Sequence, residues 1–228
     1  MPIPIDLPKV FYFSSGLCDL AIRHFNIARN KDGVPYRHYY LPQRVVDNGF
    51  SQHDSLIGLE VSFDLLDSKT TPGLFFPGTI GYKNRNMRKQ KTNLANKKGF
   101  RLVSFIHPSF IGNVDHQAGL WIMENVVIQD YTSIGTGCVI CPNVTISHNS
   151  ILGDFSWVSP GATICGNVDI EEECFIGAGA IISNGVRIGK DSIIGAGATI
   201  TRDVEPNSVY GSGRNYKLDI TADKVHLK

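Results

Sequence analysis

From Ile122 to Ile200 every sixth residue is aliphatic, in the unbroken series Ile122, Ile128, Ile134, Ile140, Ile146, Leu152, Val158, Ile164, Ile170, Ile176, Ile182, Ile188, Ile194 and Ile200. Two places before each of these, from Val126 onward, stands a small or β-branched residue such as Thr132, Cys138, Ser150, Ala162, Cys174 or Ala198. A period of six suits neither a helix of 3.6 residues per turn nor an isolated strand of period two. It is the period of a parallel β-helix, in which short strands on successive coils stack and bury one continuous core. Each strand sends one large side chain inward, and a small inward neighbour lies where the chain turns the corner. Glycines directly follow the large position at Gly135, Gly153, Gly177, Gly189 and Gly195, where a permissive backbone suits a tight corner.

The rest of the chain bounds the problem. At 228 residues there is room for two compact units. A net charge of +1 with 19% charged residues gives no global reason to expect nucleic acid or an anionic membrane as partner. No run of eighteen apolar residues and no signal-peptide pattern is present, so a soluble cytoplasmic protein is expected. Cys138 and Cys141 spell C-x-x-C, but Cys138 and Cys174 fall on the small inward position, and Cys141 and Cys165 each follow a large one. The register alone explains them, and structural thiols are expected in place of a metal site.

Upstream, Lys9 to Phe13 reads as a buried strand running into the turn Ser14-Ser15-Gly16, followed by a helix over Asp19 to Ala28. A second strand-turn-helix unit begins at Leu74-Phe75-Phe76, turns at Gly78 to Gly81 and continues as a helix from about Asn84 to Lys98, before a strand at Phe100 to Ile106. These units suggest a small Rossmann-like α/β domain whose ligands bind at the carboxyl ends of parallel strands. Residues 31–73 carry no assignable pattern. Between Ser68 and Val114 lie nine Lys or Arg residues and no acid. A solvated basic helix face is the plain explanation; a diphosphate at the helix start is the functional one.

One histidine lies within the repeat. His148 stands two places after Ile146, so its side chain leaves the corner outward, where packing has no use for it. An ordinary imidazole, titrating near 6.5, suits a general base at neutral pH.

Residues 9–217 resemble the NeuD/PglD-type sugar acyltransferases. The shared parts are the first strand and small-residue loop, Ile80-Gly81-Tyr82-Lys83-Asn84-Arg85, Phe105-Ile106-His107-Pro108, Ile146-Ser147-His148-Asn149-Ser150-Ile151-Leu152-Gly153-Asp154, Val158-Ser159-Pro160-Gly161-Ala162 and Ile176-Gly177-Ala178-Gly179-Ala180. The resemblance implies a left-handed β-helix of roughly four to five three-sided coils. It also implies a homotrimer with acetyl-CoA as co-substrate in the groove between two rods. His148 then aligns with the general base and Asn149 with its orienting neighbour. Gly166 aligns with the backbone donor to the thioester oxygen, and Trp157, Ala178, Ala196 and Arg214 (or Lys217) with coenzyme contacts. Ser14, Ser15, Gly16 and Gly81 align with the sugar-nucleotide loops. The implied division is a Rossmann-like domain over 1–107, a β-helix over 108–205 and a tail over 206–228.

Three departures stand out. The family commonly places Glu or Asp after the catalytic histidine, and here it is Asn149. An amide can orient the ring but lends no charge to an imidazolium, so a weaker base is expected unless Asp154 or a neighbouring subunit supplies a carboxylate. Trp157 replaces a histidine that often meets the coenzyme, and the acidic pair that reads a uracil is not evident around Tyr39-Tyr40-Leu41-Pro42. The expected activity is acetyl transfer to an amino or hydroxyl group of a nucleotide-linked sugar or sialic acid in bacterial surface-glycan biosynthesis. The alternatives are a non-catalytic scaffold or CoA/sugar-nucleotide binding module, and a trimeric zinc hydrolyase. The last needs three converging histidines, whereas His107 and His116 precede the regular register.

Overall fold

The computed structural model describes residues 85–114 and 118–213, preceded by six strands between residues 9 and 76. The repeat forms a parallel β-helix. Two-residue strands recur every six residues from Trp121–Ile122 to Thr199–Ile200. Up to Ile181–Ile182, each pairs in parallel with the strand one coil, 18 residues, further on: Trp121 with Val139, Val139 with Trp157, Trp157 with Phe175 and Phe175 with Ile193. The strands sort into three sheets, one for each face of the rod. At the carboxyl end Val209–Tyr210 adds a rung beside Ile193–Ile194.

The aliphatic series forms one continuous buried cluster running from Ile122 to Ile200. Each fully buried isoleucine contributes on the order of 1.5–3 kcal/mol relative to exposure. Many of the small inward residues are polar, and their hydrogen bonds are met across the corner. Ser150 and Ser156 Oγ donate to the carbonyls of Cys165 and Glu171 at 3.0 and 3.2 Å. Cys138 and Cys174 Sγ do the same toward Gly153 and Gly189, each at 3.2 Å. Burial pushes the Cys138, Cys141 and Cys174 thiols up to about 12, so they stay protonated and unreactive at neutral pH.

The glycines directly after the large position serve a purpose other than backbone freedom. A Cβ on Gly153 would lie 2.5 Å from the backbone of Glu171 and Glu172, so the next coil leaves no room for a side chain. Left-handed backbone instead recurs two places further round the corner, three places after each large residue from Ile122 to Ile194. Asn125, Asn143, Asn149 and Asn167 hold φ of 55°, 60°, 59° and 57°, and Gly137, Gly161, Gly179, Gly185 and Gly197 occupy other turns of the series. Asparagine and glycine tolerate this region best, whereas other residues incur roughly 1–2 kcal/mol. Three bulky or long side chains nevertheless occupy the position: Tyr131, Phe155 and Glu173, with φ of 61°, 57° and 61°.

Two of these exceptions meet the only helix among the described residues, α1 (Arg85–Lys97). Arg88, Thr92 and Ala95 share one face of α1 and are fully buried. The Arg88 guanidinium donates to the carbonyl of Phe155 and lies 5.7 Å from the ring centroid of Trp157. Lys89 pairs with Glu173 and, at 3.0 Å, with Glu172. The expected solvated basic face is therefore corrected in part, since two of the cations fasten the helix to the rod. α1 ends in a Schellman motif: Gly99, at φ 82°, donates to Asn96, and Phe100 donates to Ala95 at 2.9 Å.

Upstream, Lys9–Phe13 pairs in parallel with Ile57–Val61 on one side and Leu74–Phe76 on the other. Arg101–Ile106 joins this sheet to the rod: Leu74 and Phe75 pair with Arg101 and Leu102, while Phe105 and Ile106 pair with Trp121 and Ile122. The expected strands at 9–13, 74–76 and 100–106 are thus parallel neighbours of one ladder. The region 31–73 contains strands that its sequence pattern did not disclose, Arg44–Asp47, Gln52–His53 and Ile57–Val61. Ala28, expected to close a helix, pairs as a strand with Ile57; the remainder of that helix lies outside the described residues.

Candidate active site

His148 belongs to the corner Ser147-His148-Asn149-Ser150, which follows the strand Thr145–Ile146. Its side chain is exposed, and the coils before and after it fix its surroundings. The His148 backbone N–H donates to Oε1 of Gln129 at 3.1 Å, and its carbonyl accepts from Asn167 N–H at 2.9 Å. Nδ1 of the ring meets Oδ1 of Asn149 at 2.9 Å. An amide oxygen only accepts, so Nδ1 is the donor of this bond, and in the neutral ring Nε2 keeps its lone pair. The left-handed turn at Asn149 curls this amide back onto the ring.

Gly166 lies one coil beyond, directly beside the imidazole. A Cβ on Gly166 would stand 2.7 Å from Cε1 and 2.8 Å from Nε2 of His148, and 3.2 Å from Oδ1 of Asn184. The missing side chain is thus the space the ring occupies. Ser150 steadies the floor, its hydroxyl donating to Cys165 at 3.0 Å and accepting from Val168 N–H at 3.1 Å on the far side of Gly166. Asn167 Nδ2 in turn donates to Asn184 Oδ1 at 3.3 Å. The arrangement offers a basic nitrogen of fixed tautomer above a bare peptide, the parts needed to take a proton beside an oxyanion donor.

The remaining expected residues lie elsewhere. Ala178 and Ala196 follow Phe175–Ile176 and Ile193–Ile194, on a different corner of the rod from His148 and Gly166, and both are exposed. Trp157 is buried beneath α1 against Arg88, which gives it a packing partner within this chain. Asp154, considered as a carboxylate for His148, sits on the third corner and accepts from Thr136 N–H at 2.8 Å. His107 Nδ1 is engaged by Ser109, with Oγ at 2.8 Å. Ser14, Ser15, Gly16, Gly81, Arg214 and Lys217 lie outside the described residues. Sequence reasoning missed Gln129 and Asn184; the signal was the 18-residue coil, which places both on the corner of His148. Among the described residues no group of three or more His, Cys, Asp or Glu is placed to hold a metal ion, and no helix is long and apolar enough to cross a membrane.

Two family models match the rod: "bacterial transferase hexapeptide (six repeats)" over residues 149–184, and "hexapeptide repeat of succinyl-transferase" over residues 167–202. Among solved structures, the chain is similar to the acetyltransferase domain of PglB from Neisseria gonorrhoeae, at 25% identity and a TM-score of 0.67, covering 90% of this chain and 96% of that one. That domain is also solved in complex with acetyl coenzyme A. PerB from Caulobacter crescentus, solved in complex with CoA and GDP-perosamine, shares the fold at 23% identity and a TM-score of 0.66, covering 89% and 92%. WeeI from Acinetobacter baumannii does so at 19% identity and a TM-score of 0.58, covering 89% and 95%. A comparison with curated protein sequences finds no match. The chain thus resembles sugar acetyltransferases of the left-handed β-helix type over most of its length.

Proposed function

We propose that this protein is an acetyl-CoA-dependent acetyltransferase acting on an amino or hydroxyl group of a nucleotide-linked sugar or sialic acid, in the cytoplasmic assembly of a bacterial surface glycan. The observation that carries the reading is the His148 imidazole, held by Asn149 through Nδ1 and standing over Gly166. Its support is the likeness to an acetyltransferase domain solved with acetyl coenzyme A and to a protein solved with CoA and a GDP-sugar.

In this mechanism Nε2 of His148 takes the proton of the acceptor amine or hydroxyl as that group attacks the thioester carbonyl. The Gly166 N–H donates to the oxygen as it gains charge. Collapse breaks the carbon–sulfur bond, and the imidazolium returns its proton to the departing thiolate. An amine sheds its proton readily after attack, whereas a hydroxyl demands more of the base, so uncharged Asn149 favours N-acetylation. Ala178 and Ala196 lie on a corner that does not face His148 within one copy. A groove between two rods of a homotrimer would bring one corner from each copy to the same coenzyme, with Arg214 or Lys217 near its phosphates. The parallel strands before residue 107 are read as a Rossmann-like domain that holds the nucleotide through Ser14, Ser15, Gly16 and Gly81, ahead of a rod over 108–205 and a tail over 206–228.

The test is incubation of the purified protein with acetyl-CoA and a panel of nucleotide-linked amino sugars and sialic acids, following thiol release and product mass. One acetyl added to one acceptor is expected, with turnover reduced about a hundredfold or more in His148→Ala. Coenzyme binding without any product would overturn the reading in favour of a binding module.

A further inference from the structure

The left-handed position of the repeat is filled by Asn, Gly or Asp except at Tyr131, Phe155 and Glu173. At Glu173 the side chain pairs with Lys89 of α1, and at Phe155 the ring is buried while the carbonyl accepts from Arg88. Tyr131 has no such reason. Its side chain is 86% exposed, the most exposed large hydrophobic side chain among the described residues. An unfavourable backbone that presents a tyrosine to solvent is explained by something outside the chain that the ring meets.

Tyr131 lines an open cleft of about 570 Å³ together with Asn113, Gln129, Asp130, Thr132 and Ser133. The cleft is coupled to the catalytic corner by three hydrogen bonds: Gln129 Oε1 accepts from His148 N–H at 3.1 Å, the Asp130 carbonyl accepts from Asn149 N–H at 3.2 Å, and Thr132 Oγ1 donates to the Ser147 carbonyl at 3.0 Å. The cleft thus borders the turn that carries His148, one coil before it.

We infer that this cleft holds the pyranose ring of the acceptor, with Tyr131 as the platform on which the sugar stacks and Asp130 as the residue that selects its hydroxyl or amino groups; this rests on the acetyltransferase reading above. The chemistry of the lining chooses a sugar over the coenzyme. A pyranose offers one face of slightly positive C–H groups to the negative face of an aromatic ring. Its hydroxyls donate to a carboxylate and to side-chain amide oxygens. A diphosphate or a coenzyme phosphate would instead be repelled by Asp130. Both residues are specificity-determining and leave the proton transfer to His148.

Tyr131→Asn places the residue preferred elsewhere in the repeat at this turn, so the fold is retained or strengthened. Binding of the same panel of nucleotide-linked sugars, and separately of acetyl-CoA, is measured by titration calorimetry on the full chain, the Tyr131→Asn variant and the isosteric Asp130→Asn variant. The expected result is a tenfold or greater loss of acceptor affinity in each variant, unchanged acetyl-CoA affinity, and a melting temperature for Tyr131→Asn equal to or above that of the parent. Unchanged acceptor affinity in both variants overturns the assignment even if the parent enzyme transfers acetyl groups. A loss that falls on acetyl-CoA assigns the cleft to the coenzyme and also overturns it. Sugar binding that depends on Tyr131 in a protein that transfers nothing upholds the cleft while refuting the acetyltransferase reading.

Discussion

Oδ1 of Asn149 lies 2.9 Å from Nδ1 of His148, reached from a backbone at φ 59°. One residue thereby satisfies the corner's need for left-handed backbone and fixes the tautomer of its neighbour. An aspartate tolerates the same φ and would add charge to the contact. Asn149→Asp is expected to preserve the fold and raise acetyl-transfer turnover several-fold. The added carboxylate stabilises the protonated ring, so the acid limb of the pH–rate profile should move to higher pH. A profile measured on both proteins with the same acceptor decides this, and an unmoved acid limb argues against an imidazole base.

Gly166→Ala probes the space the ring occupies. The new Cβ would stand 2.7 Å from Cε1 of His148, while Gly166 is not among the positive-φ glycines, so alanine suits its backbone. The imidazole must swing away. Turnover should fall tenfold or more, with the melting temperature within a few degrees of the parent. A protein that melts early would instead indicate a structural fault.

Ser150→Ala removes a hydroxyl that accepts from the buried Val168 N–H at 3.1 Å and donates to Cys165 at 3.0 Å. An orphaned buried amide costs about 1–3 kcal/mol. Denaturant titration should show a loss of that size, and turnover should fall as well, because the same contacts hold the Gly166 segment against the ring.

Carboxylates on the corner of Glu171 and Glu172, paired within the rod and with Lys89 of α1, set an acid dependence. Hydrogen bonds from Lys190 and then Lys89 hold the Glu172 carboxyl below its ordinary range, and the Lys190 backbone N–H and then Arg187 do the same for Glu171. The stabilisation is complete above the unfolded carboxylate value, about 4.3, and disappears as pH falls through the lower folded values. These groups are partly exposed, so solvent screens each pair and its contribution is small. Lowering the pH from 5 to 3 should therefore reduce the melting temperature by a few degrees, and Glu172→Gln should lose part of that response. An identical acid response in Glu172→Gln would show that the contact is energetically silent.

The rod was legible because its constraint is strictly periodic. Any residue that must point inward does so at a multiple of six, and no tertiary context overrides a repeat whose neighbours are copies of itself. The candidate His148 stood out for the converse reason, since it departs from the pattern on the outer surface. What escaped is what depends on distant contacts. The strand Ile57–Val61 carries Gly58 and Glu60 and alternates weakly, so only its parallel partner at Lys9–Phe13 reveals it. That two cations of α1 are anchored at Phe155 and Glu173 follows from residues 67 and 84 places away, beyond any local pattern. The three misfits at the left-handed position were present in the sequence, but they are misfits only once the backbone angle there is known.

The 18-residue coil also restricts how a gene for such a protein can change length. Duplicating a whole coil beyond Asn184 would lengthen the rod and leave His148 above Gly166. Inserting a single hexapeptide between His148 and Gly166 would satisfy the core equally well, yet it would carry Gly166 a third of a turn to the next corner, away from the histidine. Selection for folding alone permits growth in steps of six, while selection for keeping His148 over Gly166 permits steps of eighteen, so this corner acts as a ratchet on the heredity of the scaffold.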